Sequence, residues 1–337
     1  MIKATEAAGV QRVTDPRKSY DFAVHVCTMA NFKAIANRRN VLFTTCEAIQ
    51  LDLPDHARCN QVDQADLIIV PTDFTRKQVE KFYTPPVQCC QEGVDAETFS
   101  YVERTEPGPE ERFYYLWVGA TDARKGIGYV WNAWVHLQKT GRLLHNAWLI
   151  LKTTPEVPGV QGAVQRIDST RVIVDTRKLP VASLAKLYHM AHCLVFPTRG
   201  ESWGLVLSEA MSTGLPAIWT HHSAMVDWTD PKTGYPLTDL KMVDGESTAR
   251  EGIKLDLTQF RPAVKGPVKP HRFMGNTLVP KISIEELADK MRYVHDNYAE
   301  ALERGKMASE RMHNQYTWDQ AAQRFIEILR QYGGGGD

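Results

Sequence analysis

The chain has 337 residues, 43% hydrophobic and 24% charged, the balance of a globular protein long enough for two domains of ordinary size. Lys+Arg and Asp+Glu stand at 40 each, so no overall field draws it toward nucleic acid or anionic lipid, although local patches stay open. No apolar run approaches the length of a membrane span, and Met1–Glu6 lacks a signal peptide's apolar core, so a cytoplasmic protein is expected.

In chain order, Phe22–Val26 reads as a strand, Asn31–Arg39 as a short basic helix, Val41–Thr45 as a strand, and Leu67–Pro71 as another ended by its proline. Asp73 is the expected cap of a helix carrying Phe74, Val79 and Phe82. Val87–Cys90 looks like a last short strand before Gly93-Val94-Asp95, and the alternation implies a parallel α/β sheet. The charged, proline-bearing stretch Glu103–Glu111 reads as a linker, dividing the chain into domains at 1–106 and 107–315, with a tail at 316–337.

The second domain opens with a buried strand, Phe113–Gly119, and a helix, Ile127–Gln138. Trp148–Leu151 and Arg171–Asp175 are further strands, and Ser183 is the expected cap of a helix through Met190 with Leu184, Leu187 and Tyr188 on one face. From Asp239 to about Val279 the pattern fades into a surface excursion without an assigned role. Ser283-Ile284-Glu285-Glu286 is a capping-box signature for a helix running past Tyr298. A final amphipathic helix starts at Thr317-Trp318-Asp319-Gln320 and carries Ala322, Phe325, Ile326 and Leu329, before the flexible end Gly333–Gly336. The six cysteines, Cys27, Cys46, Cys59, Cys89, Cys90 and Cys193, form no Cys-x-x-Cys pair and read as buried reduced thiols.

The chemistry concentrates in Pro197-Thr198-Arg199-Gly200-Glu201-Ser202-Trp203-Gly204-Leu205-Val206-Leu207-Ser208-Glu209-Ala210. An apolar strand, His192–Phe196, precedes it. A helix stopped by Gly214 and Pro216 and a second strand, Ala217–Trp219, follow. A loop feeding a helix N-terminus at the carboxyl end of a parallel strand is a natural phosphate site, because free N–H groups and the positive end of the helix dipole face the ligand. Glu201 and Glu209 would repel a diphosphate there, so sugar hydroxyls are their expected partners. The Glu-x7-Glu spacing, with Gly204-Leu205 and the Gly-Leu-Pro stop, resembles the donor site of the retaining family 4 glycosyltransferases, which have the GT-B fold.

That resemblance implies two Rossmann-like α/β domains facing across a cleft, with a C-terminal helix crossing back to the N-terminal domain. It places Glu201 by the donor sugar and Glu209 on the nucleotide ribose, with Ser202, Trp203, Gly204 and Leu205 lending the helix N-terminus. Arg124-Lys125-Gly126, after the strand ending at Gly119, matches the family's Lys-Gly step, which neutralises the leaving diphosphate. The family's arginine directly after the glycine is absent, since Ala120 stands there, and Arg124 is the candidate to supply that charge. Two cations at a helix start oppose the dipole unless an anion lies between them.

Implied in turn is retaining transfer from a nucleotide-diphosphate sugar, a UDP- or GDP-sugar in first place, with Lys125, Glu201 and His25 as catalytic candidates. His25 corresponds to a histidine the family carries after an early strand, and Glu47 is a candidate acceptor contact or general base. No cofactor is expected. No Asp-x-Asp occurs, Asp52 being followed by Leu53-Pro54-Asp55, so a metal-independent reaction is expected. His221-His222, after the Ala217–Trp219 strand, stand within possible reach of the same cleft, but adjacent side chains on an extended chain point apart, so they are not expected to bind one ligand together.

The family usually begins with a strand and a glycine-rich loop, of which Ala8-Gly9-Val10 is the only hint, so the N-terminal domain reads as short. Lys33, Arg38 and Arg39, with Arg17-Lys18, make a basic patch readable first as a solvated face, and otherwise as a contact for a membrane surface, a phosphorylated lipid carrier or DNA. The acceptor therefore stays open among glycan, lipid-linked sugar and modified DNA base, and a catalytically silent sugar-nucleotide-binding subunit is the rival reading. Lys125→Ala or Glu201→Ala is expected to lower turnover by orders of magnitude with melting nearly unchanged.

Overall fold

The computed structural model describes residues 2–7, 21–50, 60–154, 164–245 and 277–333. Ala8-Gly9-Val10, Arg17-Lys18, Asp52–Asp55, Cys59, residues 246–276 and Gly334–Gly336 lie outside them.

The first part contains α1 (Ile2–Ala7), β1 (Phe22–Val26), β2 (Arg39–Phe43), β3 (Ile49–Gln50), β4 (Leu67–Val70), α2 (Asp73–Val79) and β5 (Val87–Cys89). Strands β1, β2, β4 and β5 pair in parallel, in that order. Leu67–Val70 is buried at every residue, as a parallel strand covered on both faces must be.

The expected basic helix at Asn31–Arg39 does not form. Only a single 3-10 turn, Met29–Asn31, stands there, and Arg39 already belongs to β2. The Asn40 side chain explains this: it accepts from Ile35 N (2.8 Å) and donates to the carbonyls of Ile35 (3.1 Å) and Arg38 (2.8 Å). Those bonds take backbone groups a helix would need. Asn37, at φ 58°, completes the turn. At α2 the cap is Thr72, whose side chain accepts from Thr75 N; Asp73 sits in the first turn and pairs with Lys77 and Arg76 instead.

The second part runs through β6 (Phe113–Val118), α3 (Ile127–Lys139), β7 (Ala147–Lys152), β8 (Val164–Ile167), β9 (Val172–Asp175), α4 (Val181–Met190), β10 (Cys193–Phe196), α5 (Leu205–Ser212), β11 (Ala217–Thr220), α6 (Met225–Trp228) and β12 (Tyr235–Leu237). These strands form one sheet in the order β12-β11-β10-β6-β7-β9-β8, parallel except for β8 at the edge. The strand order reverses between β6 and β10, which are neighbours in register Cys193↔Tyr115. Loops leaving two such strands part in opposite directions and open a crevice at the carboxyl edge. Helix α4 opens at Val181 after Pro180, whose carbonyl takes Ser183 N and Leu184 N; Ser183 lies inside the first turn and is not the cap.

Both ends of the expected excursion are strands: β13 (Leu240–Asp244) pairs antiparallel with β14 (Thr277–Ile282), and β14 pairs with β3. Helices α7 (Ile284–Asp296), α8 (Tyr298–Gln315) and α9 (Trp318–Gly333) close the chain. Ser283 caps α7 through Glu286 N (3.2 Å), but Glu286 turns its carboxylate to Thr238 N and Asp239 N, so only half of the capping box is made. The long helix expected past Tyr298 breaks at Asn297, whose side chain donates to Tyr293 O (2.9 Å).

Helix α9 crosses back to the first sheet. Phe325 and Ile328 pack on Val41, Phe43, Leu67 and Ile69, and the Tyr332 hydroxyl donates to Asp66 O. Gly93 is pressed so closely on the start of α9 that a Cβ would lie 2.4 Å from Trp318 N. No helix among the described residues is long and apolar enough to cross a membrane.

Candidate active site

Two loops at the β6–β10 reversal build the site. After β6, Gly119 donates to Lys152 O (3.0 Å), and Asp122 caps a short 3-10 turn, Ala123–Lys125, by accepting from Arg124 N (2.7 Å). Gly126 then starts α3 at φ 78°, and a Cβ there would fall 1.9 Å from Pro197 O. Only glycine permits both the left-handed conformation and that approach. The two loops therefore touch, and Arg199 N donates to Arg124 O (2.8 Å).

Contact brings four charges together. Lys125 Nζ donates to Glu201 Oε1 (2.6 Å), which also accepts from Thr198 Oγ1 (2.9 Å) and lies 3.5 Å from Arg124 Nη1. Arg124 donates from Nη1 to Gly200 O (2.7 Å) and pairs through Nη2 with Glu47 (2.9 Å) on the loop after β2. Glu201 and Arg124 are buried, 6% and 8% exposed, whereas the Lys125 side chain is 23% exposed. The cations do not crowd a helix start uncompensated, as the sequence suggested. They sit in a turn before α3, and two carboxylates balance them.

The loop backbone is braced as well. Glu201 N donates to Ser223 Oγ (3.0 Å), and Thr72 Oγ1 donates to Ser202 O (3.2 Å) from the first part of the chain. Gly200 packs on the same partner, since a Cβ there would lie 1.9 Å from Glu47 O. Gly204, at φ 98°, caps α5 without a side-chain bond, and the first N–H groups of a helix have no intrahelical partner. Ser202 Oγ is buried beside that helix start with no hydrogen-bond partner among the described residues. The Trp203 indole stacks on Trp228 at 5.1 Å between centroids inside the core. As a ligand contact Trp203 can offer only its backbone; its side chain is structural.

Glu209 lies in the second turn of α5 and accepts from the Tyr188 hydroxyl of α4 (3.0 Å). Burial pushes its carboxyl up to about 7, with the tyrosine bond pulling the other way.

A family described as Glycosyl transferases group 1 matches residues 112–245, which hold both loops. A processive diacylglycerol alpha-glucosyltransferase of Acholeplasma laidlawii is 22% identical over 261 residues, covering 67% of this chain and 73% of that protein. A D-inositol 3-phosphate glycosyltransferase of Corynebacterium urealyticum is 26% identical over 193 residues, 48% of this chain and 42% of that one. In fold, a sucrose-phosphate synthase of Thermosynechococcus elongatus superposes with a TM-score of 0.63 at 17% identity, over 94% of this chain and 75% of that one. Residues 112–245, which hold both loops, thus match the group 1 glycosyltransferases, and the chain as a whole has the GT-B fold.

Gly119, Arg124, Lys125, Glu201, Ser202, Gly204 and Leu205 lie on the two loops or at the start of α5, Glu47 joins them through Arg124, and Glu209 stands further along α5 against Tyr188. His25 does not join them. Its Nε2 donates to Asn40 Oδ1 (3.0 Å) and its ring stands edge-on to Phe32 at 4.9 Å, and no recorded contact among the described residues links it to Glu201. Of the adjacent histidines, His222 packs on Phe74 of α2 at 5.9 Å, and burial holds its ring down to about 4. Arg39 donates to Gly333 O (3.3 Å), so part of the basic patch is spent on the end of α9.

The described cysteines are all free thiols. Burial pushes Cys46 up to about 11 and Cys90 to about 12, which keeps them protonated. Sequence reasoning missed Thr198, Ser223, Tyr188 and Glu92. The first three give no composition signal. Glu92 had one, since it follows a parallel strand at its carboxyl end.

Proposed function

We propose that this protein moves a sugar from a nucleotide-diphosphate donor, UDP- or GDP-linked, to an acceptor hydroxyl with retention at the anomeric carbon. The observation that carries the reading is the Lys125–Glu201 pair beside the open N-terminus of α5, at the strand-order reversal. An arriving diphosphate competes with Glu201 for Lys125, the more exposed of the two cations. Its charge then falls on Lys125, on the Ser202 hydroxyl, and on the helix amides. Arg124, tied to Glu47 and Gly200, acts through its nearby charge and keeps the loop in place.

Relieved of Lys125, Glu201 receives a hydroxyl of the donor sugar, and Glu209 receives the ribose. These cations and the helix N-terminus do the work of a metal ion in transfer, so the reaction proceeds without one. The acceptor binds to residues 1–106 and the donor to 107–315, with 316–337 tying the two together in the cytoplasm. The relatives named above act on a diacylglycerol and on an inositol phosphate, both bearing hydroxyls, which supports that class of acceptor.

The test is release of nucleoside diphosphate from UDP-glucose and GDP-mannose. Wild type is expected to turn over one of them slowly in water, and Lys125→Ala to lose at least about a hundredfold of that rate. Release from neither sugar, or equal release by the variant, defeats the reading and favours a silent binding subunit.

A further inference from the structure

We propose that Glu92 holds the acceptor hydroxyl and takes its proton as the glycosidic bond forms. This rests on the function proposed above and adds to it the group that receives the proton.

The first observation is position. Glu92 lies three residues beyond β5, at the carboxyl end of the first sheet, where Cys90 N donates to Val70 O (2.9 Å) of the neighbouring β4. Thr72, two residues on from Val70, donates to Ser202 O in the site loop, so the segment of chain after β5 carries Glu92 out of the sheet beside that contact. That segment is fixed on both sides. Gly93 has no room for a Cβ against Thr317 and Trp318, Val94 N donates to Tyr316 O (2.8 Å), and Val94 bridges Thr317. A side chain on so constrained a backbone is well placed to position a ligand.

The second observation is the lack of a partner among the described residues. The other carboxylates of the site are engaged: Glu47 by Arg124, Glu201 by Lys125, Glu209 by Tyr188. Glu92 is half-buried and makes no recorded hydrogen bond or ion pair among the described residues. A carboxyl withdrawn from water without a partner is costly, and a ligand hydroxyl relieves that cost.

The third is electrostatic. Glu92 lies near enough to Glu201 for that charge, together with the larger effect of burial, to raise its carboxyl to about 7. Among the described residues the titratable groups coupled to it are Glu201 and the protonated Cys90 thiol, and the cations Lys125 and Arg124 are already committed to Glu201 and Glu47. A base so adjusted can accept a hydroxyl proton at neutral pH. In the step, the acceptor O–H proton passes to the ionised Glu92 carboxylate while the acceptor oxygen bonds to the anomeric carbon on the face from which the diphosphate departs, so that the configuration is retained. The bond from that carbon to the diphosphate breaks, and its electron pair leaves with the diphosphate toward Lys125.

The experiment compares wild type, Glu92→Gln and Glu92→Asp with UDP-glucose and GDP-mannose as donors and water or glycerol as the hydroxyl. Rates are taken from pH 5 to 9, with donor affinity and melting temperature measured in parallel. Wild-type kcat/KM is expected to rise about tenfold per pH unit below about 7 and then level. Glu92→Gln should keep donor affinity and melting temperature, lose that limb, and turn over about a hundredfold or more slowly; Glu92→Asp should recover part of the rate and the limb. An unchanged profile in Glu92→Gln, or a loss explained by donor affinity alone, overturns the proposal while leaving the donor site standing. No donor binding by wild type overturns both.

Discussion

Lys125 Nζ and Glu201 Oε1, 2.6 Å apart, join the loops that leave the two strands flanking the sheet's reversal. Seventy-six residues separate them, and the pairing follows from β6 lying beside β10. Because Glu201 is buried, its removal would leave Lys125 without its partner carboxylate, beside an Arg124 that keeps only Glu47. Breaking such a pair costs about 3 kcal/mol or more. Glu201→Ala should therefore lower the melting temperature clearly, against the sequence expectation of unchanged melting. Glu201→Gln, which keeps the shape, should lose donor turnover with a smaller fall. Calorimetric melting of both variants beside their hydrolysis rates checks this.

Gly126 permits the loops to meet. Gly126→Ala sets a Cβ 1.9 Å from Pro197 O at a φ of 78°, so the loops must separate. The backbone strain alone is of order 1–3 kcal/mol. Urea unfolding should show at least that loss, together with weaker donor binding; Gly141→Ala, at φ 68° with open space around it, isolates the conformational part.

Tyr188→Phe removes, among the described residues, the one hydrogen bond to the Glu209 carboxylate with almost no change in volume. A lost hydrogen bond to a carboxylate is worth about 1.5–3 kcal/mol at most. Nucleotide affinity should fall roughly tenfold, measured by titration calorimetry, with the fold retained.

The raised carboxyl of Glu209 makes stability depend on pH. Its folded value, about 7, lies above the ordinary 4.5, so the native state binds the proton more tightly than the unfolded chain does. This contribution is full below 4.5 and is lost as pH rises through 7. His192 and His222, held down to about 4 by burial, act oppositely, losing stability as pH falls below the ordinary 6.5. The two effects offset in the wild type, so the comparison must be paired. The melting temperature of wild type relative to Glu209→Gln should fall between pH 5 and 7. A constant difference would contradict the assigned burial.

The succession of parallel strands and the site's central loop were legible because they rest on strong local signals. Leu194–Phe196 is uniformly apolar, and Gly204, Gly214 and Pro216 punctuate a helix at fixed offsets. What escaped was decided by distant side chains. The Asn40 amide unmade a helix at 31–39, and the antiparallel partner of Leu240–Asp244 lies more than thirty residues on. Within the site, Arg124-Lys125 and Glu201 were readable as chemistry, but their mutual neutralisation was not, because it is a product of strand order. His25 shows the reverse: a histidine at an expected place whose ring is occupied by Asn40 and Phe32.

The central claim is that a nucleotide-diphosphate sugar lies across Lys125, Glu201 and Glu209. The most direct measurement is titration calorimetry of UDP-, GDP- and ADP-sugars against wild type and Glu209→Ala. The account predicts binding of one nucleotide family, weakened at least about tenfold in the variant with its fold intact. Binding of none of them, or equal affinity in the variant, would contradict it.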